Sequence, residues 1–227
     1  MTANVVLVTG SLHGGGAERV LCEMANYWAK KGWEVTFATW SGPEIDDFYE
    51  LDTGSNRVWL DVTTPANSVV GKARQILQRM ITFRKLLVDL QPDAVLSFMN
   101  SSNVLTILAA AGLKTKVVVS ERVQPSADPT VSSVVRFLRR ITYPWSDEIV
   151  VQSKDAAKWI RRHCRKQATV ISNPLRFLSQ AECDRQPLIV SVGRLVNQKG
   201  FDLLLRAFAK IAPEYSDWNV AIVGEGC

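Results

Sequence analysis

Short apolar runs recur along the chain and alternate with longer segments of helical periodicity. Several of these runs, such as Val117–Val119 and Ile149–Val151, are apolar on both faces, as the strands of a buried parallel sheet are. The alternation predicts an α/β fold whose first part is a doubly wound, Rossmann-like domain that ends near residue 171. The predicted strands are Val5–Thr9, Glu34–Thr39, Val58–Val62, Ala94–Phe98, Lys116–Ser120 and Glu148–Gln152, and the predicted helices include 17–31, 71–90 and 101–111.

The regular pattern stops after residue 171. Ser172-Asn173-Pro174 opens a stretch with little periodicity, and Asn-Pro favours a turn. We interpret 172–187 as an interdomain linker, which makes 1–171 the first domain. A second unit, 188–227, is predicted to be strand–helix–strand. One βαβ unit of this size does not bury enough surface to be stable alone, so we expect it to be the opening of an incomplete domain. Its predicted elements are Leu188–Val192, Phe201–Ala212 and Asn219–Val223.

The composition excludes several classes of protein. The chain of 227 residues is 47% hydrophobic and 22% charged, which is typical of a globular protein. No apolar run reaches the roughly 18 residues that span a bilayer, and the first residues lack the features of a signal peptide. The cysteines form no C-x-x-C pair, so neither a zinc site nor a redox pair is expected. Reduced thiols in a cytoplasmic protein are the plain interpretation of Cys22, Cys164, Cys183 and Cys227.

The net charge of +5 is unevenly distributed. Residues 71–88 contain five basic and no acidic residues, and 136–166 contain nine basic and three acidic ones. Amphipathic basic helices of this kind suit an anionic membrane surface, and a solvated face on a globular domain is the alternative. We find no nucleic-acid-binding signature. The apolar residues that alternate with the charges are Ile76, Leu77, Met80, Ile81, Phe83 and Leu87, then Val134, Val135, Phe137, Leu138 and Ile141.

Three adjacent glycines, Gly14, Gly15 and Gly16, lie between the first predicted strand and the first predicted helix. Ligands of open α/β sheets bind at the carboxyl ends of the strands, and a helix N-terminus favours anions. The loop therefore predicts close approach of an anionic or polar ligand, and a flexible turn without a ligand is the alternative. A dinucleotide or a nucleoside triphosphate is not predicted, because the loop does not fit G-x-G-x-x-G and no P-loop occurs.

A second loop, between the strand that ends at Val192 and the helix that begins at Phe201, contains two cations. Arg194 and Lys199 are five residues apart, and each is next to a glycine. A guanidinium fork and an ammonium group at one sheet edge suit a diphosphate. Two solvated loop cations are the alternative interpretation.

Taken in order, these motifs resemble the family 4 glycosyltransferases of the GT-B fold. The residues that carry the resemblance are Gly14-Gly15-Gly16-Ala17-Glu18-Arg19, Asn173-Pro174, Gly193-Arg194-Leu195, Gln198-Lys199-Gly200-Phe201-Asp202 and Gly224-Glu225-Gly226. The resemblance covers the whole chain. The segment Val119-Ser120-Glu121-Arg122 is similar to a bacterial subgroup that adds hexoses or N-acetylhexosamines to lipid-linked glycans.

The resemblance implies two facing Rossmann-like domains, the first for the acceptor and the second for a UDP- or GDP-sugar. Arg194 and Lys199 would hold the donor diphosphate and stabilise the leaving group, so no metal or other cofactor is expected. Gly14 to Gly16 would lie against the diphosphate and the transferred sugar. Transfer would retain the anomeric configuration. The basic helices would dock the protein as a peripheral protein on the inner membrane face, near a polyprenyl-diphosphate-linked acceptor.

Two residues are candidates for catalysis. Many relatives carry a histidine near residues 120–122, where this chain has Glu121 and Arg122. Glu121 is a candidate for contact with the sugar or the acceptor, and its pairing with Arg122 or another cation is the alternative. His13, in the glycine loop, is the second candidate, whereas His163 is expected to be a solvated helix residue.

The family's paired glutamates, which bind the donor, would come after Cys227. Cys227 also stands where the family usually has a proline. We therefore expect the chain to be truncated within its second domain and to be inactive alone. A non-catalytic membrane- or lipid-binding module and one half of a split glycosyltransferase are the alternative hypotheses.

Overall fold

The computed structural model describes residues 2–44, 47–61, 68–125, 131–174 and 186–226. The chain divides into two compact units, Met1–Leu175 and Arg176–Cys227. The division falls within the linker that we predicted at 172–187, most of which lies outside the described residues. The bounds of the two predicted domains stay a prediction.

The first unit contains a seven-stranded, entirely parallel sheet with helices in the crossovers. The strand order is β3-β2-β1-β4-β5-β6-β7, so the predicted doubly wound fold is confirmed. The strands are β1 (Asn4–Thr9), β2 (Glu34–Thr39), β3 (Ser55–Trp59), β4 (Ala94–Phe98), β5 (Lys116–Glu121), β6 (Glu148–Val151) and β7 (Thr169–Val170). The helices are α1 (Gly16–Lys30), α2 (Val69–Leu90), α3 (Asn100–Ala110), α4 (Ser133–Thr142) and α5 (Lys154–Cys164), and a 3₁₀ turn, Tyr143–Trp145, follows α4.

The apolar sequence of β1 explains why helices cover both faces of the sheet. Successive side chains of a strand point to opposite faces. Val6 and Val8 accordingly belong to the core cluster that packs against α2, α3 and α5, whereas Val5 and Leu7 belong to the cluster that packs against α1. The two clusters are the two layers of the core.

Serine side chains fix the beginning of three of the helices. The Oγ of Ser68 accepts a hydrogen bond from the N–H of Gly71 at 3.0 Å, at the start of α2. Ser132 caps α4 and Ser153 caps α5 in the same way. Such N-caps satisfy a backbone donor that has no partner within the helix.

Apart from differences of one residue at strand ends, the structure departs from the predicted strands in two places. We predicted Val58–Val62, but β3 is Ser55–Trp59. The register with β2 explains the shift, because Ser55 to Trp59 pair with Val35 to Thr39 although Ser55, Asn56 and Arg57 are polar. The two-residue edge strand β7 was not predicted, because its exposed side chains carry no hydrophobic pattern.

The second unit is a βαβ unit, as predicted. Its two strands, β8 (Leu188–Val192) and β9 (Asn219–Val223), pair in parallel, and α6 (Phe201–Ile211) connects them after a 3₁₀ turn, Asn197–Lys199. None of the residues described between 186 and 226 is buried. Val192 is 73% exposed and Leu203 is 65% exposed. Strand–helix–strand alone therefore leaves its apolar faces uncovered.

Replacing Leu87 with alanine tests the packing of α2. Leu87 is 1% exposed and lies in the core cluster, so Leu87→Ala is expected to lower the free energy of unfolding by about 3 kcal/mol. The neighbouring Val88 is 47% exposed, and Val88→Ala serves as the control, with a change within about 0.5 kcal/mol. Urea denaturation followed by circular dichroism measures both, and equal losses would contradict the orientation of α2.

Candidate functional site

The first candidate site lies at the carboxyl ends of β1, β4 and β5. The chain runs from β1 to β2 and β3 in one direction and from β4 to β7 in the other. The reversal opens a crevice beyond the ends of β1 and β4, which is where doubly wound sheets bind ligands. The glycine loop follows β1, Met99 follows β4, and Glu121 is the last residue of β5.

The glycine loop is held in place from its own side of the sheet. The N–H of Gly15 donates to the carbonyl oxygen of His13 at 2.7 Å, which closes a tight turn. The N–H of Phe48 donates to the carbonyl of Leu12 at 2.9 Å, and the Oη of Tyr49 donates to the carbonyl of Gly15 at 3.0 Å. These hydrogen bonds give the loop a defined conformation, unlike that of a flexible turn.

The three glycines are not required by backbone conformation, since none of them has a positive φ. A Cβ at Gly14 would contact the ring of Phe48 at 3.4 Å, and one at Gly15 would overlap the flexible carboxylate of Glu18. A Cβ at Gly16 would meet no atom of the chain within 4 Å. The space at Gly16 is compatible with the predicted approach of a ligand.

The two histidines differ in their surroundings. His13 is exposed in the glycine loop. His163 is half-buried, its ring stacks on Trp159 with 4.1 Å between the ring centroids, and its Nδ1 lies 2.9 Å from the carbonyl oxygen of Trp159. The expectation that His163 is a solvated residue was wrong, because Trp159 provides an apolar surface on the same helix face.

Glu121 lies in the interior and pairs with a cation other than Arg122. Its Oε1 accepts hydrogen bonds from the Oη of Tyr143 at 2.5 Å and from the Nη1 of Arg139 at 3.4 Å. Burial, and then the negative charge of Glu121, raise the pKa of Tyr143 well above its ordinary value. Arg122 instead stacks on Phe98 and donates to the side chain of Asn173. Two roles were considered for Glu121, and the one seen in the structure is the pairing with a cation, Arg139.

Sequence reasoning missed Arg139, which we had counted among the surface charges of a basic helix. Its side chain is fully buried, and the guanidinium stacks on Trp159 at 4.5 Å from the ring centroid. A signal was available in the spacing. Val135, Leu138 and Thr142 are the inward positions of α4, and residue 139 lies on the same face at i+4 from Val135.

Met99 was also missed. It has φ 79° and ψ 142° at the junction of β4 and α3. Residues other than glycine rarely adopt this conformation, which costs on the order of 1–3 kcal/mol and is often found at functional sites. No pattern in the sequence indicates it, because methionine at the end of an apolar strand is otherwise ordinary.

The second candidate site lies at the carboxyl ends of β8 and β9 in the second unit. Arg194 and Lys199 are both exposed in the loop after β8. The carbon chain of Lys199 packs over Gly193, where a Cβ would lie 3.4 Å from the lysine Cε. The loop is bonded to the segment after β9, because the N–H of Leu195 donates to the carbonyl of Glu225 at 2.8 Å. The two predicted diphosphate-binding residues thus belong to one tied loop.

Gly224 has a purely steric reason to be glycine. A Cβ at this position would lie 1.8 Å from the carbonyl oxygen of Gly193. The two loops at the carboxyl edge of β8 and β9 approach each other so closely only because residue 224 has no side chain. The Gly-Glu-Gly motif therefore contacts the Arg194 loop and helps to fix its position.

Other features of the described part of the chain add little chemistry. Within it, no group of three or more His, Cys, Asp or Glu side chains is arranged to hold a metal ion. None of its helices has the length and apolar character needed to cross a bilayer. Cys22 and Cys164 are free and buried, and burial raises the pKa of each thiol to about 11. Cys183 and Cys227 lie outside the described residues.

A parallel sheet with a glycine loop at its carboxyl edge is followed in the chain by a βαβ unit with a basic loop, which is the order of elements expected of the GT-B fold. Residues 14–176 match the family described as Glycosyltransferase Family 4, and residues 177–227 match Glycosyl transferases group 1. The chain belongs to Glycosyltransferase Family 4. The predicted resemblance is therefore confirmed.

Among curated proteins, two relatives come from Campylobacter jejuni. One is a GalNAc-α-(1→4)-GalNAc-α-(1→3)-diNAcBac-PP-undecaprenol α-1,4-N-acetyl-D-galactosaminyltransferase, 26% identical over 98% of this chain and 61% of the relative. The other is an N-acetylgalactosamine-N,N'-diacetylbacillosaminyl-diphospho-undecaprenol 4-α-N-acetylgalactosaminyltransferase, 26% identical over 95% and 61%. The chain thus spans about three fifths of the length of these relatives.

Solved structures with the same fold include sucrose-phosphate synthase from Thermosynechococcus elongatus, with a TM-score of 0.77, 14% identity and coverage of 98% of this chain and 70% of that one. Another is HepE from Anabaena in complex with UDP-glucose, with a TM-score of 0.65, 13% identity and coverage of 98% and 61%. At this level of identity the likeness shows the GT-B fold alone.

Replacing Gly16 with alanine tests whether the glycine loop receives a ligand. A Cβ at Gly16 meets no protein atom and alanine favours helix, so Gly16→Ala is expected to leave the melting temperature unchanged or raised. If a substrate occupies the space, the rate of sugar transfer by the native polypeptide falls about tenfold or more. Gly54→Ala, in a turn before β3, is the control. Unchanged transfer would show that no ligand approaches Gly16.

Proposed function

We propose that the protein is a retaining glycosyltransferase that moves a hexose or N-acetylhexosamine from a nucleotide-sugar to a lipid-linked glycan. The membership of residues 14–176 in Glycosyltransferase Family 4 carries the proposal. Two curated relatives support the choice of acceptor, because their names specify undecaprenol-diphosphate glycans. The reaction would serve the biosynthesis of a polysaccharide or glycoconjugate.

On the donor side, Arg194 and Lys199 would hold the diphosphate of a UDP-sugar. Both cations are exposed at the carboxyl edge of β8 and β9, in a loop fixed by the hydrogen bond from Leu195 to Glu225. A positive loop at this position would stabilise the charge that develops on the leaving nucleoside diphosphate. Such stabilisation would supply the role that a metal ion has in other transferases, and we expect no cofactor.

On the acceptor side, the crevice beyond β1 and β4 would receive the glycan. The open space at Gly16 and the beginning of α1 are there, and His13 is exposed in the same loop. The N-terminus of α1 favours negative charge, which suits the diphosphate of the acceptor or of the donor. His13 remains a candidate for contact with a reacting group.

A transfer assay tests this function. The native polypeptide is incubated with UDP-GalNAc, UDP-GlcNAc, UDP-galactose or UDP-glucose and an undecaprenyl-diphosphate-linked glycan, and the products are identified by mass spectrometry. The anomeric coupling constant of the product, measured by NMR, is expected to show an α-linkage from the α-configured donor. A β-linked product would contradict retention. Absence of transfer with every donor, together with binding to lipid, would favour the non-catalytic module.

The donor site makes a prediction of its own. Arg194→Ala or Lys199→Ala is expected to raise the Kd for UDP-sugar about ten- to a hundredfold, because one hydrogen bond to a charged group contributes about 1.5–3 kcal/mol. Arg206→Ala, which removes an exposed cation from α6, is the matched control and leaves the Kd unchanged. Calorimetric titration with UDP and UDP-sugar measures the three variants. If Arg206→Ala raised the Kd by the same factor, the affinity would depend on the net positive charge and not on the Arg194 loop.

The outer face of α4 supports peripheral binding to an anionic membrane. Val134, Phe137 and Ile141 are 65%, 62% and 43% exposed, and Trp145 beyond the helix end is 63% exposed. Arg136 and Arg140 are exposed on the same helix. An apolar stripe flanked by cations is the pattern of helices that lie in the interface of anionic lipids. Because α5 lacks such a stripe of exposed apolar residues among its described positions, only α4 of the second basic segment has this pattern.

A vesicle experiment tests this surface. Arg136→Glu with Arg140→Glu is expected to reduce sedimentation with phosphatidylglycerol vesicles at least tenfold, since each basic residue near an anionic surface contributes about 1 kcal/mol. Arg161→Glu with Arg162→Glu makes the same change of charge on the exposed face of α5. This control retains most of the binding. Equal losses in the two double variants would show that net charge, rather than α4, determines the binding.

A further inference from the structure

Met99 lies where the two halves of the sheet separate, and its backbone is strained. Its φ of 79° is a conformation that residues with a side chain rarely adopt. The residue follows β4 directly, and its side chain packs against the apolar cluster that includes Leu12 of the glycine loop. Met99 therefore lies at the carboxyl edge of the sheet where the acceptor is proposed to bind, in contact with the apolar cluster of the glycine loop.

The beginning of α3 is held by hydrogen bonds to three other segments. The N–H of Asn103 donates to the carbonyl of Met99 at 2.8 Å. The Nδ2 of Asn103 donates to the carbonyl of Ser120 at 3.0 Å and to the Oη of Tyr143 at 3.0 Å. The Oδ1 of Asn100 accepts from the Nη1 of Arg139 at 3.1 Å. The residue after Met99 is thus tied to α4, and the next turn is tied to β5.

The hydrogen bond to Asn100 comes from an arginine, Arg139, that forms a buried ion pair with Glu121. The side chains of Arg139 and Glu121 are 0% and 1% exposed. The Nη1 of Arg139 contacts both Glu121 and Asn100, and its Nη2 lies 3.5 Å from the carbonyl of Pro125. A buried ion pair contributes little net stability, because its desolvation offsets the attraction. Its directional hydrogen bonds, however, allow the side chain of Asn100 only one position relative to β5.

We propose that Arg139 and Glu121 are positioning residues for the transfer reaction. Their ion pair holds Asn100, and through Asn100 it keeps Met99 in its strained conformation at the carboxyl edge of the sheet. Glu121 acts through Arg139 and Asn100 and does not touch the substrate. The inference rests on the proposed glycosyltransferase function, and it replaces the catalytic role that the sequence suggested for Glu121.

Glycine at position 99 separates positioning from direct contact. Glycine adopts a positive φ without strain, so Met99→Gly removes both the strain and the methionine side chain that the ion pair is proposed to hold in position. Arg139→Gln is expected to lower kcat about tenfold or more with Met99 present, with the KM for the donor unchanged. In the Met99→Gly background the same substitution is expected to change kcat within about twofold. Glu121→Gln is expected to behave in the same way.

The opposite outcome is equally clear. If Glu121 touches the substrate, Glu121→Gln lowers kcat by the same factor whether residue 99 is methionine or glycine, and the proposal fails. Arg161→Gln, an exposed change on α5, is the control and has no effect in either background. If Arg139→Gln does not fold, Tyr143→Phe replaces it, because this variant removes one hydrogen bond to Glu121 and keeps both charges. Its smaller loss of kcat is likewise expected to vanish with Met99→Gly.

A measurement without substrate distinguishes failure of this inference from failure of the proposed function. In a chain labelled with ¹³C-methyl methionine, the Met99 signal is expected to shift in Arg139→Gln and in Glu121→Gln. The signals of Met24 and Met80 stay in place, and Arg161→Gln shifts none of them. If no donor is transferred but the Met99 signal shifts, the ion pair still positions Met99 and only the reaction was misassigned. If transfer occurs and the signal does not shift, the positioning role is refuted.

Discussion

The parallel pairing of β1 with both β2 and β4 is the constraint on which the rest of the first unit depends. One apolar strand, Asn4–Thr9, forms hydrogen bonds on both edges and packs helices on both faces. Because the chain leaves β1 in one direction and returns to β4 on the other side, the loops after these strands diverge and leave a crevice. The glycine loop and Met99 owe their position at this edge of the sheet to the reversal of strand order.

The polar interior beside the crevice has a different physical character from the core. Arg139, Glu121, Tyr143 and Asn103 are buried, and each bonds to another element of the unit. Apolar packing tolerates small shifts of one helix against another, whereas hydrogen bonds and ion pairs in a low-dielectric interior have narrow geometric limits. The unit thus combines an apolar core, which provides stability, with a polar cluster, which determines the position of α3 relative to β5.

Much of the candidate site was visible in the sequence, though unevenly. Gly14 to Gly16 and Arg194 with Lys199 were identified because loops between a strand and a helix lie at a known edge of the sheet. Arg139 was misplaced on the surface, because charge dominated the interpretation of a helix face that spacing would have assigned to the core. Glu121 was found as a residue but its partner was not, since a crossover separates Glu121 from Arg139 in the chain and only the fold brings the two side chains together. Strain at Met99 has no counterpart in residue type.

Sequence patterns are enough to establish the α/β class, the family, most of the order of strands and helices, and the loops that carry glycine and basic residues. These follow from local hydrophobic periodicity and from motifs that act over a few residues. The tertiary structure alone decided the register of β3, the burial of Arg139, its pairing with Glu121 and the backbone conformation of Met99. Each of these depends on contacts between residues distant in the chain, and local pattern carries no information about which distant partner a side chain meets.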